Sequence, residues 1–289
     1  MTAALSPALT APGITPALRP AVAMQRAVGI ARLAVHAPDG VTRLVENYQS
    51  GSAKLRFPRT EIGDPFTAVL INTAGGITGG DRFSVSVTAG KGAALTVTSQ
   101  AAERIYRRSS GHAGVETRLT VSDGATLDWV PQETILFDRS ALRRSLAADV
   151  AAGGRLLAAE SIVLGRTAMG ETVREATLTD SWRIRRDGRL VFADGLRLDG
   201  DSSAILAGGA TGNGAVALAT VVLVAPDAEA ALDAARAALE GSASEAGASA
   251  WNGALVARLI ARDARALRTD LIRLLETLRG HALPRVWNC

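Results

Sequence analysis

Residues 66–88 read FTAVLINTAGGITGGDRFSVSVT, and the two glycine pairs at their centre decide the fold. A P-loop needs Gly, four residues, then Gly-Lys-Ser/Thr, because lysine neutralises phosphate and the hydroxyl holds magnesium. Gly75 and Gly80 have that separation, but Asp81 and Arg82 stand where Lys and Ser/Thr are required. A carboxylate there repels phosphate. The dinucleotide pattern G-x-G-x-x-G is missing as well, and it requires a helix directly after it. Downstream of this loop, Phe83, Val85 and Val87 alternate with polar residues, which is strand periodicity. Phe66–Ile71 is an apolar, partly β-branched run and also reads as a strand. The loop joins two strands and is not a nucleotide site.

The same punctuation continues outward. From Ala27 to about residue 225 the chain is a succession of short alternating segments, including Ala94–Ser99, Glu116–Val121, Thr126–Val130, Leu156–Leu164 and Arg189–Leu198. Gly, Asp and Pro fill the gaps. Gly92, Gly124 and Gly154 are each followed three residues later by a leucine, at near-equal intervals. Strands with glycine corners at a regular period suggest stacked β coils whose neighbours bury each other's apolar faces; a β-sandwich with regular turns is the rival arrangement. Two helices are expected near the end, at about 227–240 with Asp227 as N-cap and at about 264–279 with Asp263 as N-cap. A Ser/Ala/Gly linker is expected at 241–250, and Leu255–Ile260 fits strand or helix. The expected fold is mainly β, a β-helix-like stack of strands with two helices near the C-terminus. Residues 1–25, broken by four prolines, read as a disordered tail before a single domain at 26–289.

Composition narrows the function classes. The formal charge is +4 and comes from arginine, since Lys54 and Lys91 are the only lysines. Arginine's rigid fork suits carboxylates, so acidic protein partners and nucleic acid both fit. Aromatics are 4 % of the chain, too few beside Tyr106-Arg107-Arg108 to support base stacking. Cys289 is the only cysteine, so no intrachain disulfide forms, which fits a reducing compartment. The start lacks the charged and apolar parts of a secretory signal. The longest apolar run, Ala215–Ala225, is short of a membrane span. A cytoplasmic protein is expected. His36, His112 and His281 lie far apart, no HxH, CxxC or HExxH spacing occurs, and Gly-x-Ser-x-Gly is absent. Carboxylates are the remaining candidates: Asp81 after the glycine loop, Asp128 beside Glu133, and Glu160 and Glu171 around LGRTAMG.

Six motifs occur in one order: GGITGGD (75–81), TVTSQAAERIYR (96–107), LDWVPQETILFD (127–138), ESIVLGRTAMGE (160–171), SWRIRRDGRLVFAD (181–194) and LPRVWNC (283–289). Together they resemble the urease accessory protein D family, UreD or UreH, over roughly residues 28–289. The resemblance implies a non-enzymatic maturation factor that binds apo-urease and, with UreF and the GTPase UreG, supports nickel loading. It also implies a β-helix-like stack carrying a helix pair. No cofactor is held stably, and nickel in transit is the implied cargo. On that basis Gly75, Gly76, Gly79 and Gly80 form a structural corner with positive φ and close backbone approach. Asp81, Glu160 and Glu171 become the candidate nickel-passage carboxylates, weak enough as ligands to release the ion. Two other classes remain open: a secreted-type β-helix enzyme acting on acidic polysaccharide, and an arginine-rich nucleic-acid binder. Neither nucleic acid nor membrane is the expected partner.

Overall fold

In the computed structural model the described residues are 25–59, 63–166 and 170–288. The expected tail, apart from Gln25, lies outside them, as do residues 167–169 of the LGRTAMG stretch and Cys289. In chain order the first strands are β1 (Val28–His36), β2 (Arg43–Gly51), β3 (Ala53–Arg56), β4 (Phe66–Asn72), β5 (Arg82–Ala89) and β6 (Ala94–Ser99). Next come β7 (Glu103–Ile105), β8 (Ala113–Val121), β9 (Thr126–Trp129), β10 (Thr134–Leu136), β11 (Ser140–Val150) and β12 (Arg155–Leu164). The rest are β13 (Ala176–Arg186), β14 (Arg189–Gly200), β15 (Ala217–Val224), β16 (Glu245–Trp251) and β17 (Ala254–Ala261). The α-helices are α1 (Ser202–Ala207), α2 (Leu232–Leu239) and α3 (Ala264–Arg279).

From β5 to β13 the chain passes back and forth between two sheets. The first sheet has the order β14-β13-β11-β8-β5-β1-β2, and the second runs β16-β17-β15-β12-β9-β6-β4-β3 with β10 and β7 alongside. Neighbouring coils pair in parallel: β5 with β8, β8 with β11 and β11 with β13 in the first sheet, β6 with β9 and β9 with β12 in the second. The stack of strands inferred from the glycine period is therefore the fold. Its third register differs by one residue. Leu95 lies opposite Leu127, and Leu127 opposite Leu156. The turn that matches Gly92 and Gly124 is centred on Gly153, because the closing hydrogen bonds are Ala93 N to Gly90 O, Ala125 N to Ser122 O and Gly154 N to Ala151 O. Leu157, the leucine expected from the sequence, points to the other side of the sheet.

That other side is covered too. Leu33, Val85, Leu119, Leu127, Leu146 and Trp182 pack between the sheets. Leu157, Val221, Leu255, Leu271, Leu274 and Leu275 pack between the second sheet and the helices. The second sheet is thus buried on both faces, which is why β12 reads as a nearly continuous apolar run.

The C-terminal part departs from expectation in three places. The Ser/Ala/Gly stretch at 241–250 is not a linker: most of it forms edge strand β16, whose backbone is paired along β17. With β17 resolved as a strand, the β body extends past residue 225 to Ala261. Asp227 gives no side-chain cap; a 3-10 turn at Ala228–Ala231 precedes α2. Asp263 caps α3 as expected, accepting Ala266 N at 2.7 Å, and Gly280 ends it in the left-handed conformation. Helix α1, capped by Asp201, is an addition to the two expected. No helix among the described residues is long and apolar enough to cross a membrane.

The C-terminal helix is fastened to the sheet by buried charge. Arg279 Nε lies 2.8 Å from Asp128 Oδ2, and its Nη2 donates to Thr96 Oγ1 at 3.1 Å. Both members of the pair are shielded from water, at 2 % and 1 % side-chain exposure. Trp287 completes the seam, donating from Nε1 to Thr98 Oγ1 and Val130 O. Removing one partner of a buried pair leaves an uncompensated charge. Arg279→Ala should therefore cost about 3 kcal/mol by that principle, read as the shift of the denaturant midpoint; a cost below about 1 kcal/mol would show that Arg155 alone, 3.3 Å from Asp128, satisfies the carboxylate.

Candidate functional site

The glycine loop at residues 73–81 carries the chain from β4 into β5. Within it Ile77 pairs as an isolated parallel bridge with Ile105. Ile77 N donates to Arg104 O at 2.8 Å and Tyr106 N to Ile77 O at 2.7 Å, so the loop is itself part of a coil. Gly76 has φ of 145°, and a Cβ there would clash with the Tyr106 ring edge and the Arg104 carbonyl. Gly79 lacks positive φ, but a Cβ would collide with Ser110 O. Tyr106 also donates its hydroxyl to Gly75 O at 3.1 Å.

Asp81 is buried, and each of its carboxylate oxygens already accepts a backbone N–H. Its Oδ1 accepts Ala27 N and its Oδ2 accepts Thr78 N, each at 2.8 Å. It ties the entry of β1 to the loop. Glu171 does similar work on another loop: it accepts Asp138 N, Arg166 N and Arg166 Nε, the last at 2.8 Å. Burial pushes the Glu171 carboxyl up, but Arg166 and the backbone donors outweigh it and hold it below the usual range.

Beneath the glycine loop lie two adjoining cavities. The outer one, about 180 Å³, is lined by Asn72, Gly75, Gly76, Gln100, Glu103 and Arg104 among others. The inner one, about 90 Å³, lies between the sheets against Ile77, Ile105, Val115, Trp129, Arg144 and Glu160. Leu70, Phe83, Ser99 and Glu103 line both. Glu103 therefore stands at the junction. Asn72 Nδ2 donates to its two oxygens at 3.1 and 3.2 Å. Burial dominates over these donors and pushes the carboxyl from 4.5 to about 7.

The inner cavity ends on a buried ion cluster. Arg144 Nη2 binds Asp180 Oδ2 at 2.6 Å and Nη1 donates to Thr134 Oγ1 at 3.2 Å. Its Nε lies 3.0 Å from Glu160 Oε2, but off the N–H axis, so neither atom has a hydrogen bond. Trp129 Nε1 donates to Glu160 Oε1 at 3.1 Å. Burial pulls Arg144 down, yet the charges of Glu160 and Asp180 hold it above its usual value. Two carboxylates share one guanidinium, leaving an unmatched negative charge. Burial raises the Glu160 carboxyl above its usual value; the Arg144 charge and the Trp129 hydrogen bond oppose the rise, and the neighbouring Asp180 charge adds to it.

Of the carboxylates singled out from the sequence, Glu160 lines the inner cavity, whereas Asp81 and Glu171 line neither. The structure does not bring the three together. Glu103, Arg144 and Asp180 were not anticipated. Glu103 lies within the TVTSQAAERIYR motif, but nothing local marks it as a half-buried residue facing a cavity. No cluster of three or more His, Cys, Asp or Glu suited to a metal occurs among the described residues. The arrangement places two acids, Glu103 and Glu160, along the two cavities, whose partly apolar lining also carries Ser99, Thr117, Gln132, Thr134 and Arg144.

Comparison with known proteins adds an independent observation. The UreD urease accessory protein family profile matches residues 27–288. A Rhizobium leguminosarum bv. trifolii protein named urease accessory protein UreD is 51 % identical over 265 residues, covering 91 % of this chain and 96 % of its own. Proteins of the same name from Xanthobacter autotrophicus and Rhodopseudomonas palustris are 49 % and 47 % identical, each over 91 % of this chain and over 90 % and 93 % of their own.

The raised Glu103 fixes a pH dependence. Between 4.5 and about 7 the folded chain holds a proton that the unfolded chain has released, so stability falls as pH rises through that window and is flat above it. Glu103→Gln should remove that decline and raise neutral-pH stability by up to about 3 kcal/mol. Thermal melts of both proteins from pH 4 to 8 check it; parallel profiles would refute the assignment.

Proposed function

Because the chain belongs to the UreD urease accessory protein family, we propose that it acts in the cytoplasm as a non-catalytic scaffold. It binds apo-urease together with UreF- and UreG-type partners and gives nickel a route toward the urease active site. Nickel is cargo here, and no cofactor is held in place. The observation that carries the reading is the pair of adjoining cavities that share Glu103 in their lining, the inner one also lined by Glu160.

Chemistry supports transit over storage. Carboxylate and carbonyl oxygens bind a borderline cation more weakly than thiolate or imidazole cages do. A proton leaving Glu103 near neutral pH would be exchanged for the ion, and its return would favour release. The walls between the two acids are largely apolar, with Leu70, Phe83, Ile77 and Ile105, and their neutral polar groups are Ser99, Thr117, Gln132 and Thr134. The glycine loop forms the mouth. Glu171 reaches it indirectly: Arg166 lies 4.5 Å over the Phe137 ring, and Phe137 meets Tyr106 edge-on at 5.1 Å. In this reading Asp81 and Glu171 hold the loops around the mouth, and Glu103 and Glu160 touch the ion. GTP hydrolysis falls to a partner, in keeping with the missing P-loop.

The test is urease activation in cells carrying Glu103→Gln, Glu160→Gln or both. We expect urease activity and nickel per urease active site to fall at least fivefold in the double variant, while co-purification with apo-urease and the accessory partners stays intact. Wild-type activity and nickel content in a fully assembled double variant would sink the route.

A further inference from the structure

The second sheet is covered on both sides, but the first has one face open to solvent, and its register arranges arginines in a staggered array. Across the strands Arg82 of β5 lies opposite Gly114 of β8, Gly114 opposite Arg143 of β11, Arg143 opposite Thr179 of β13, and Thr179 opposite Arg197 of β14. Four residues further along, Arg32 of β1 lies opposite Ser86, Ser86 opposite Arg118, Arg118 opposite Ala147, and Ala147 opposite Arg183. In both rows an arginine occupies every second strand, with a small residue between. All six arginines are exposed.

The spacing is set by the sheet. Strands lie about 4.8 Å apart, so arginines in one row are about 10 Å apart, and the rows are separated by about 13 Å. Carboxylates seven residues apart on an α-helix are about 10.5 Å apart. A helix laid across the strands would bring successive acids onto successive arginines, and the intervening Gly114, Ser86 and Ala147 would let it approach closely. Arg118, Arg32 and Arg197 are paired to Glu116, Glu46 and Asp199, but with both partners about half exposed or more, and such contacts are readily exchanged. No ion pair holds Arg82 or Arg143 among the described residues.

We propose that this open face of the first sheet is a docking surface for an acidic helix of a partner protein. It rests on the assembly part of the proposed function and not on the nickel route. A second copy of this chain would bring the same arginines against each other. Residues 1–24 contain no Asp or Glu and cannot supply the acids. Nucleic acid fits less well, because Glu116, Asp149 and Asp199 share the face with the arginines and would meet phosphates, and exposed stacking aromatics are scarce.

The test measures binding of the full chain to purified apo-urease and to each purified accessory partner, at low and at moderate salt. Arg82→Glu/Arg143→Glu and Arg118→Glu/Arg183→Glu are compared with wild type, with Arg265→Glu on the exposed side of α3, and with Arg82→Lys/Arg143→Lys, which keeps the charge. Thermal melts confirm that each is folded. We expect both reversals to weaken binding to one of these proteins at least tenfold, salt to weaken the wild type in the same direction, and the Arg265 and lysine variants to stay within about threefold. The proposal is overturned if the reversals bind every partner as wild type does, or if Arg265→Glu loses as much. It is equally overturned if wild type binds none of them, or if the reversals abolish only self-association or binding to a mixed-sequence oligonucleotide. Because the readout is binding, a failed nickel route with intact docking remains separately visible.

Discussion

The parallel, in-register pairing of successive coils is the constraint on which the rest depends. The turns at Gly92, Gly124 and Gly153 lie at one edge, and their matching hydrogen bonds set each coil directly over the last. The loops at the other edge are then forced to stack: Thr78 bonds Arg107 O, Arg108 N bonds Arg139 O, and Arg139 N bonds Glu175 O. The glycine loop is held by this stacking, since Ile77 pairs into the coil through Arg104 and Tyr106. A slip of one residue would exchange the two faces of every strand. It would put Leu127 against the helices and Asp128 into the space between the sheets.

The same constraint explains where the buried charges are. A sheet covered on both faces has no water for its polar side chains, so each must find a partner inside. Asp128 on the helix side has Arg279 and Arg155. Glu160 on the other side has Arg144 and Trp129, and shares the arginine with Asp180. The first site has two arginines on one carboxylate, with the spare guanidinium donors taken by the backbone carbonyls of Leu278 and Ala282, and it works as a fastening. The second sets two carboxylates against one guanidinium and borders a cavity.

How much was legible in the sequence depends on which signals are local. Phe83, Val85 and Val87 alternate and mark β5 plainly. In β11 the inward positions are Ser140, Leu142, Arg144, Leu146, Ala148 and Val150, and the arginine breaks the apolar alternation. The residue that hides this strand is the one that organises the interior cluster, and its partners lie on other coils. The Ser/Ala/Gly composition of β16 reads as a linker because pairing to β17, not propensity, makes it a strand. The third repeat misled by one residue because Gly153 and Gly154 are adjacent and only hydrogen bonding tells them apart. Glu103 carries no local sign at all, since its burial is produced by β4, the glycine loop and β5. The arginine array is equally silent, because its members fall into rows only once the register is known.

The cavity and the open face are two sides of the same strands. Along β11, Arg143 points to solvent and Arg144 into the cluster; along β5, Arg82 is outside and Phe83 lines both cavities. Along β8, Arg118 is outside and Thr117 lines the inner cavity. With a side-chain period of two, neighbouring residues serve opposite tasks. A partner seated on the outer arginines would therefore load the strands that form the cavity wall. The wall is stiff, since each of these strands is hydrogen-bonded on both sides within the sheet. On the two proposals made above, a stiff wall would keep the tasks separate: a partner docked on the outer arginines would leave the acids behind them unmoved.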